Sequence, residues 1–358
     1  MIKNIMNMTQ HESNAINIAR FILVVGILFV HFPISFVAAD GINLTESDTP
    51  MYNLISSRFF LSDTCLSGLF LLSGYLFFKN ILGEYSEKLY FKKINARLWS
   101  ICVPYLFWNV FWLVYNLLKT YKLQGAADSD LLEITNISDF FACFWKRGWG
   151  VYPDFPIAGY TWYLRDLFIF SLLSPIYNYC YKNRRLGFLL LVILIICESV
   201  KGWHMPGMNT WIYIGGFVAY KRITFEQICN RLSWLVSMVA FIIVNYIYYF
   251  VIHARVVYIL LVIVSFVIIF KISFLAWNNK TLLSLSASST FLYLTHIFIL
   301  NVSRHSLAKL LVIDSDMDMC IYYLLNSTLC VIICLGSYFL LKRLKANMLL
   351  KVLTGGRA

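Results

Sequence analysis

Apolar runs close to the thickness of a bilayer recur along this chain, separated by short polar stretches. They occupy approximately residues 15–38, 59–78, 98–118, 159–181, 186–200, 209–220, 232–252, 255–272, 287–307 and 320–341. A crossing helix needs about 20 mostly apolar residues at about 1.5 Å each. The pattern therefore predicts an all-α, polytopic membrane protein of about ten transmembrane helices in one bundle. The two shortest runs, 186–200 and 209–220, are joined by KGWHMPGMN. No linker and no repeat of about 20–50 residues divides the chain, so residues 1–358 read as a single membrane domain with a short basic tail from 342. The longest polar interruption, 119–158, is read as an extracytoplasmic loop. Within it LLEITNISDFFACFW has helical apolar spacing and leads to Trp145, Lys146, Arg147, Trp149 and Tyr152. That composition suits a helix lying in the membrane interface, either as an anchor or as a lid over a saccharide. Pro33 should kink the first helix, while Pro104 and Pro175 fall inside predicted helices.

Composition narrows the class. Of 358 residues, 60% are hydrophobic and 13% charged, against about 45–50% and 25% in ordinary soluble domains. This excludes a soluble globular enzyme, and too few polar residues remain for a disordered chain. The formal net charge of +12 would suggest nucleic acid in a soluble protein. Here the Lys and Arg residues gather in alternate connections: 79–97, 182–185, 221–231, 271–286 and the tail. Asp and Glu collect in the others. That asymmetry orients membrane helices with basic loops in the cytoplasm. It predicts N-in, C-in topology in a bacterial cytoplasmic membrane, with no nucleic-acid partner. The first apolar run contains Arg20 and His31 and exceeds a signal-peptide core, so it reads as a retained helix. The nine cysteines lack CxxC or Cys/His metal spacing and read as small apolar fillers. Neither disulfide nor metal is expected.

Ionisable side chains within apolar runs are costly and normally face a cavity or one another. The clearest pair is Arg20 and His31 in NIARFILVVGILFVHFPISF. Eleven steps of about 100° are three turns plus about 20°, so both lie on one helix face, about 16 Å apart along its axis. Each has a structural reading: Arg20 snorkelling to headgroups, His31 bridging helices. Sharing one face across an apolar gap, they are better explained as two stations along a cavity. Neutral imidazole, with an ordinary pKa near 6.5, accepts a proton from a hydroxyl. A guanidinium grips phosphate or stabilises an oxyanion.

Other candidates have weaker signals. Arg165 and Asp166, beside Trp162 and Tyr163, form either a structural ion pair or acceptor ligands with Trp162 as a sugar platform. Glu198 is a candidate partner for Arg165, Arg255 or His31. Ser289, Tyr293 and His296 share a face by their +4 and +3 spacing, and Tyr293 and His296 are candidate walls of an acyl-donor cavity. Lys92, Lys93 and Arg97 serve topology or, with Arg20, bind an anionic nucleotide. The glycines of SGY and IGGF suit close helix packing rather than a phosphate loop.

Several segments in order resemble the integral-membrane acyltransferase-3 family: the Arg20–His31 pair, LFLLSGYLFFKN, KKINARLWSICVPYLFW, TWYLRDLFIFSLLSP, WIYIGGFVAYKR and STFLYLTHIFIL. Each fragment is weak, but their order across most of 15–342 is specific. The resemblance, to the branch acting on surface polysaccharides, implies Arg20 and His31 as the essential pair. It implies transfer of an acyl group, commonly acetyl, from cytosolic acyl-CoA to a saccharide or lipid-linked glycan at the outer side. Acyl-CoA is then a substrate, with no permanently bound cofactor. No fused esterase-like domain is expected, and neither Asp63 nor Asp166 maps onto a family role. His31 would act as general base or as transient acyl carrier, and Arg20 would hold the CoA phosphate or polarise the thioester. The rival readings are a transporter or flippase using the same charges, which would call for inverted repeats or paired broken helices, and a structural or sensor protein.

Overall fold

The computed structural model describes residues 8–31, 44, 46–56, 62–79, 86–122, 134–146, 155–199, 204–252 and 254–356. It contains helices and no strand among the described residues. In chain order these are α1 (Gln10–Val30), α2 (Pro50–Leu54), α3 (Ser62–Lys79), α4 (Glu87–Arg97), α5 (Val103–Lys122) and α6 (Ile137–Cys143). Next come α7 (Trp162–Leu172), α8 (Ser174–Lys182), α9 (Arg184–Ser199), α10 (His204–Tyr220), α11 (Phe225–Asn230) and α12 (Trp234–Tyr246). The remainder are α13 (Arg255–Leu275), α14 (Lys280–Ser286), α15 (Ser289–Ala308), α16 (Asp316–Arg343) and α17 (Asn347–Thr354). Among the described residues, five helical segments are long and apolar enough to cross a membrane: Gln10–Val30, Glu87–Leu118, Trp234–Val251, Arg255–Leu275 and Asp316–Arg343. α14 and α15, bent by 61°, make a sixth if taken as one span. The chain is thus a multi-pass helical membrane protein.

Local chemistry explains where helices begin and break. The predicted run 159–181 is interrupted at Leu173, and α8 restarts at Ser174 with Pro175 in its first turn. Proline is tolerated there because first-turn N–H groups lack intrahelical partners. Pro104 follows a π-helical turn, Leu98–Cys102, in which the Val103 N–H reaches back to Leu98 O. A proline ring crowds the carbonyl four residues earlier, and the wider turn accommodates it. The basic segment expected as a loop over 79–97 is therefore helical from Glu87, running through the π-turn into α5. Part of the expected interfacial helix is present as α6, with Ile137, Phe140 and Phe141 exposed. Pro33 lies outside the described residues.

The chain folds into two compact units, one formed from residues up to 85 together with 175–340, the other from 86–174 together with 341–358. In the first, α3 and α10 pack backbone to backbone through glycines. A Cβ built on Gly74 would sit 2.1 Å from Ile212 O, and one on Gly215 2.0 Å from Leu71 O. Small residues at such crossings let helices approach where no hydrophobic effect drives them together, as SGY and IGGF led one to expect. In the second unit the tail from 342 is not merely a basic extension. Its α17 docks on α5, where Trp108 Nε1 donates to Leu353 O at 3.2 Å.

α1 starts earlier than hydropathy suggests. Thr9 caps it by accepting from the Glu12 N–H at 3.1 Å. Glu12 is buried and takes hydrogen bonds from Tyr75 OH, at 2.5 Å, and from Lys79 Nζ, which also donates to Tyr75 OH at 2.9 Å. Lys79, expected as a cytosolic loop charge, thus belongs to a buried α1–α3 clamp. Glu12→Gln is expected to cost about 1.5–3 kcal/mol, the worth of hydrogen bonds to a charged group. Thermal unfolding in detergent measures this. The double variant Glu12→Gln, Lys79→Met should recover part of the loss, because no buried cation is left against a neutral amide.

Candidate active site

α1 and α15 pack against each other in the first unit, and their contact assembles two imidazoles. His31 is the C-cap of α1, immediately after Val30. Its ring centroid lies 5.1 Å from that of His296 on α15, with the planes at 41°. His31 is half-buried and His296 fully buried. His296 Nδ1 lies 2.7 Å from Tyr293 O. A carbonyl only accepts, so Nδ1 carries the proton and Nε2 is the basic nitrogen. The Tyr293 ring is 5.9 Å from His296 on the same side of α15. Arg20 is half-buried on α1, three turns before His31 and about 20° from it around the axis.

The second helix wall is α16, antiparallel to α15. Cys330 Sγ lies 3.6 Å from His296 O, and Tyr323 OH donates at 3.0 Å to Phe29 O, two residues before His31. The Tyr323 ring also meets Phe29 and Tyr52, with centroids 6.0 and 5.5 Å away. Residues on α1, α15 and α16 that are distant in sequence therefore converge on the histidine pair. The expected donor-cavity residue His296 is a direct neighbour of His31, a pairing that helix periodicity within α1 or α15 has no means of revealing.

The five residues expected to bind an acyl donor divide between the units. Tyr293 and His296 lie in the first, whereas Lys92, Lys93 and Arg97 lie on α4 in the second. Lys92 is exposed and Lys93 and Arg97 are half-buried. Among the expected acceptor residues, Arg165 donates from Nε to Asp166 Oδ1 at 2.8 Å and from Nη1 to Trp145 O at 2.5 Å, and its guanidinium sits 5.1 Å from the Trp145 ring. Both charges are buried, so the structural ion-pair reading describes their contacts. Trp162 is buried, with Phe155 stacked on it at 5.5 Å and 9°. That leaves no open platform on the stacked face for a sugar ring. Tyr163 is buried as well. The side chain of Glu198 lies outside the described residues.

Fold and site together define a multi-pass helical membrane protein that holds a pair of imidazoles between apolar helices, a class suited to proton transfer away from bulk water. The chain belongs to the acyltransferase-3 family: the family model, described as an acyltransferase domain, matches residues 13–342. The resemblance carried by the ordered motifs is thereby borne out. The chain is also similar to the succinoglycan biosynthesis protein ExoH of Rhizobium meliloti (strain 1021), 28% identical over 176 residues. That match covers 47% of this chain and 43% of the relative, less than half the length of either. No solved structure matches.

Proposed function

We propose that this chain is a membrane O-acyltransferase that moves an acetyl group from cytosolic acetyl-CoA to a hydroxyl of a saccharide or lipid-linked glycan at the outer side. The observation that carries the reading is the pairing of His31 with His296, 5.1 Å apart between α1 and α15. In the proposed step, an imidazole takes the proton of the acceptor hydroxyl as its oxygen attacks the acyl carbonyl carbon. The C–S bond then breaks and the proton passes to the leaving thiolate, yielding an O-ester and free CoA thiol. Arg20, on the same face of α1, is placed to hold the anionic donor or its polarised carbonyl. A cytoplasmic-membrane chain with about ten crossings, both termini inside, fits the charge asymmetry. The partial likeness to a succinoglycan biosynthesis protein supports a glycan acceptor.

A transporter would use the same groups as a substrate path. The 61° bend between α14 and α15 is the feature that favours it, because transporters bind at broken helices. Membranes carrying the full chain, given acetyl-CoA and unacylated surface glycan, separate the readings. Acyltransfer predicts thiol release and a glycan mass increase of one acetyl per ester. Glycan movement without thiol release would overturn the proposal.

A further inference from the structure

α16, which touches both histidine-bearing segments, carries two buried polar side chains that neither motif nor hydropathy singles out. The register of the α15–α16 hairpin is fixed by three contacts: Cys330 Sγ to His296 O at 3.6 Å, Ser303 Oγ to Asn326 Oδ1 at 2.6 Å, and Tyr322 OH to Arg304 O at 3.0 Å. Ser327 lies one turn from Cys330, which touches His296, and one turn from Tyr323, which touches the backbone just before His31. It is therefore bracketed by the two histidine-bearing segments. Asn326 is its neighbour on the side of Ser303, and Ser303 follows His296 by seven residues on nearly the same face of α15.

Asn326 and Ser327 are completely buried. Nevertheless, Asn326 Nδ2 and Ser327 Oγ meet no hydrogen-bond partner among the described residues. Buried polar groups are nearly always satisfied, and in a membrane-spanning bundle water is not at hand to do it. Two exceptions adjacent in sequence, on the helix that touches both histidine-bearing segments, point to a ligand that supplies the missing bonds. That ligand must accept from the Asn326 amide and can accept from or donate to the Ser327 hydroxyl, both of which an alcohol does. It must also come within reach of a base.

We infer that Asn326 and Ser327 form the subsite that holds the acceptor's hydroxyl groups beside His31 and His296. This rests on the acyltransferase reading and names residues for its acceptor side. The hydroxyl and amide orient the polyhydroxylated substrate so that one oxygen is presented to the imidazoles, which matters because acyl transfer depends on near-attack geometry. The site discriminates against a ligand lacking that hydroxyl, which would leave both side chains unpaired.

The test uses membranes containing the full chain, labelled acetyl-CoA, and surface glycan from cells lacking the chain as the acceptor probe. Ser327→Ala and Asn326→Ala are each expected to raise the half-saturating glycan concentration by roughly tenfold, the usual worth of one lost hydrogen bond. The half-saturating acetyl-CoA concentration should stay within about twofold of the wild type. Ser327→Thr, which keeps the hydroxyl, should restore glycan half-saturation to within about threefold. A purely structural role predicts a lower maximal rate with glycan half-saturation unmoved, and that result overturns the subsite, as does a shift confined to acetyl-CoA. His31→Ala runs in parallel. If it remains active, or the wild type transfers no label, the acyltransferase reading fails. If it is inactive while the Ser327 and Asn326 variants bind glycan normally, the subsite alone fails.

Discussion

Replacing His31 by alanine is expected to abolish glycan acylation while leaving the amount of chain in the membrane unchanged. His31 is the C-cap residue of α1, past its last helical position, and is only half-buried, so removal of its side chain opens little space and disturbs no helix interior. Its chemical contribution is larger. General acid–base catalysis is worth about 10²–10⁴-fold in rate, and residual ester formation should fall by at least that lower bound. His296→Asn adds a second arm. Asparagine keeps an N–H to donate to Tyr293 O, the bond made by His296 Nδ1, but lacks the basic nitrogen. If the rings share one proton-transfer task, the double variant loses no more activity than the worse single one, since residues acting as a unit are strongly non-additive. Thiol release from acetyl-CoA and ester content of the glycan are the two readouts. Full acylation by His31→Ala membranes would remove the catalytic assignment.

Gly215→Ala and Gly74→Ala are expected to prevent stable folding rather than to slow the chemistry. The added Cβ would meet a backbone carbonyl at 2.0 Å in the first case and 2.1 Å in the second, where real Cβ atoms do not approach within 3.0 Å. Ordinary overpacking costs about 1–3 kcal/mol because side chains yield. Here the obstacle is the backbone of the partner helix, so α3 and α10 must part and the cost exceeds that range. Gly336→Ala is the control. No atom lies within 4 Å of its would-be Cβ, and alanine in a helix interior gains about 0.5–1 kcal/mol over glycine. Thermal unfolding in detergent should show the first two variants aggregated or strongly destabilised and the third slightly stabilised. Normal melting of Gly215→Ala would contradict the close α3–α10 contact.

Some of the site is written locally and some is not. Arg20 and His31 were legible as a pair because they share one helix, where fixed rotation per residue converts spacing into direction. The glycines of α3 and α10 were legible as packing residues because no phosphate loop spacing accompanied them. Other local signals passed beneath the apolar pattern. Thr9 followed three residues later by Glu12 is a helix-start signature, yet hydropathy alone places the start at residue 15. Ser174–Pro175 likewise marks a restart inside an apolar run, which hydropathy reads as one helix.

The amino-acid sequence by itself determined the helical membrane class, the family motifs and the common face of Arg20 and His31. These depend on transfer free energy and on the helical period, both properties of neighbouring residues. Only the tertiary structure decided that His296 is the neighbour of His31, that Glu12 clamps Lys79, and that Asn326 and Ser327 are buried on the helix that touches both histidine-bearing segments. These depend on which helix faces which, and in an apolar bundle every helix offers similar surfaces. The pairings are fixed by a few polar and glycine contacts between segments far apart in the chain, a quantity that no local window contains.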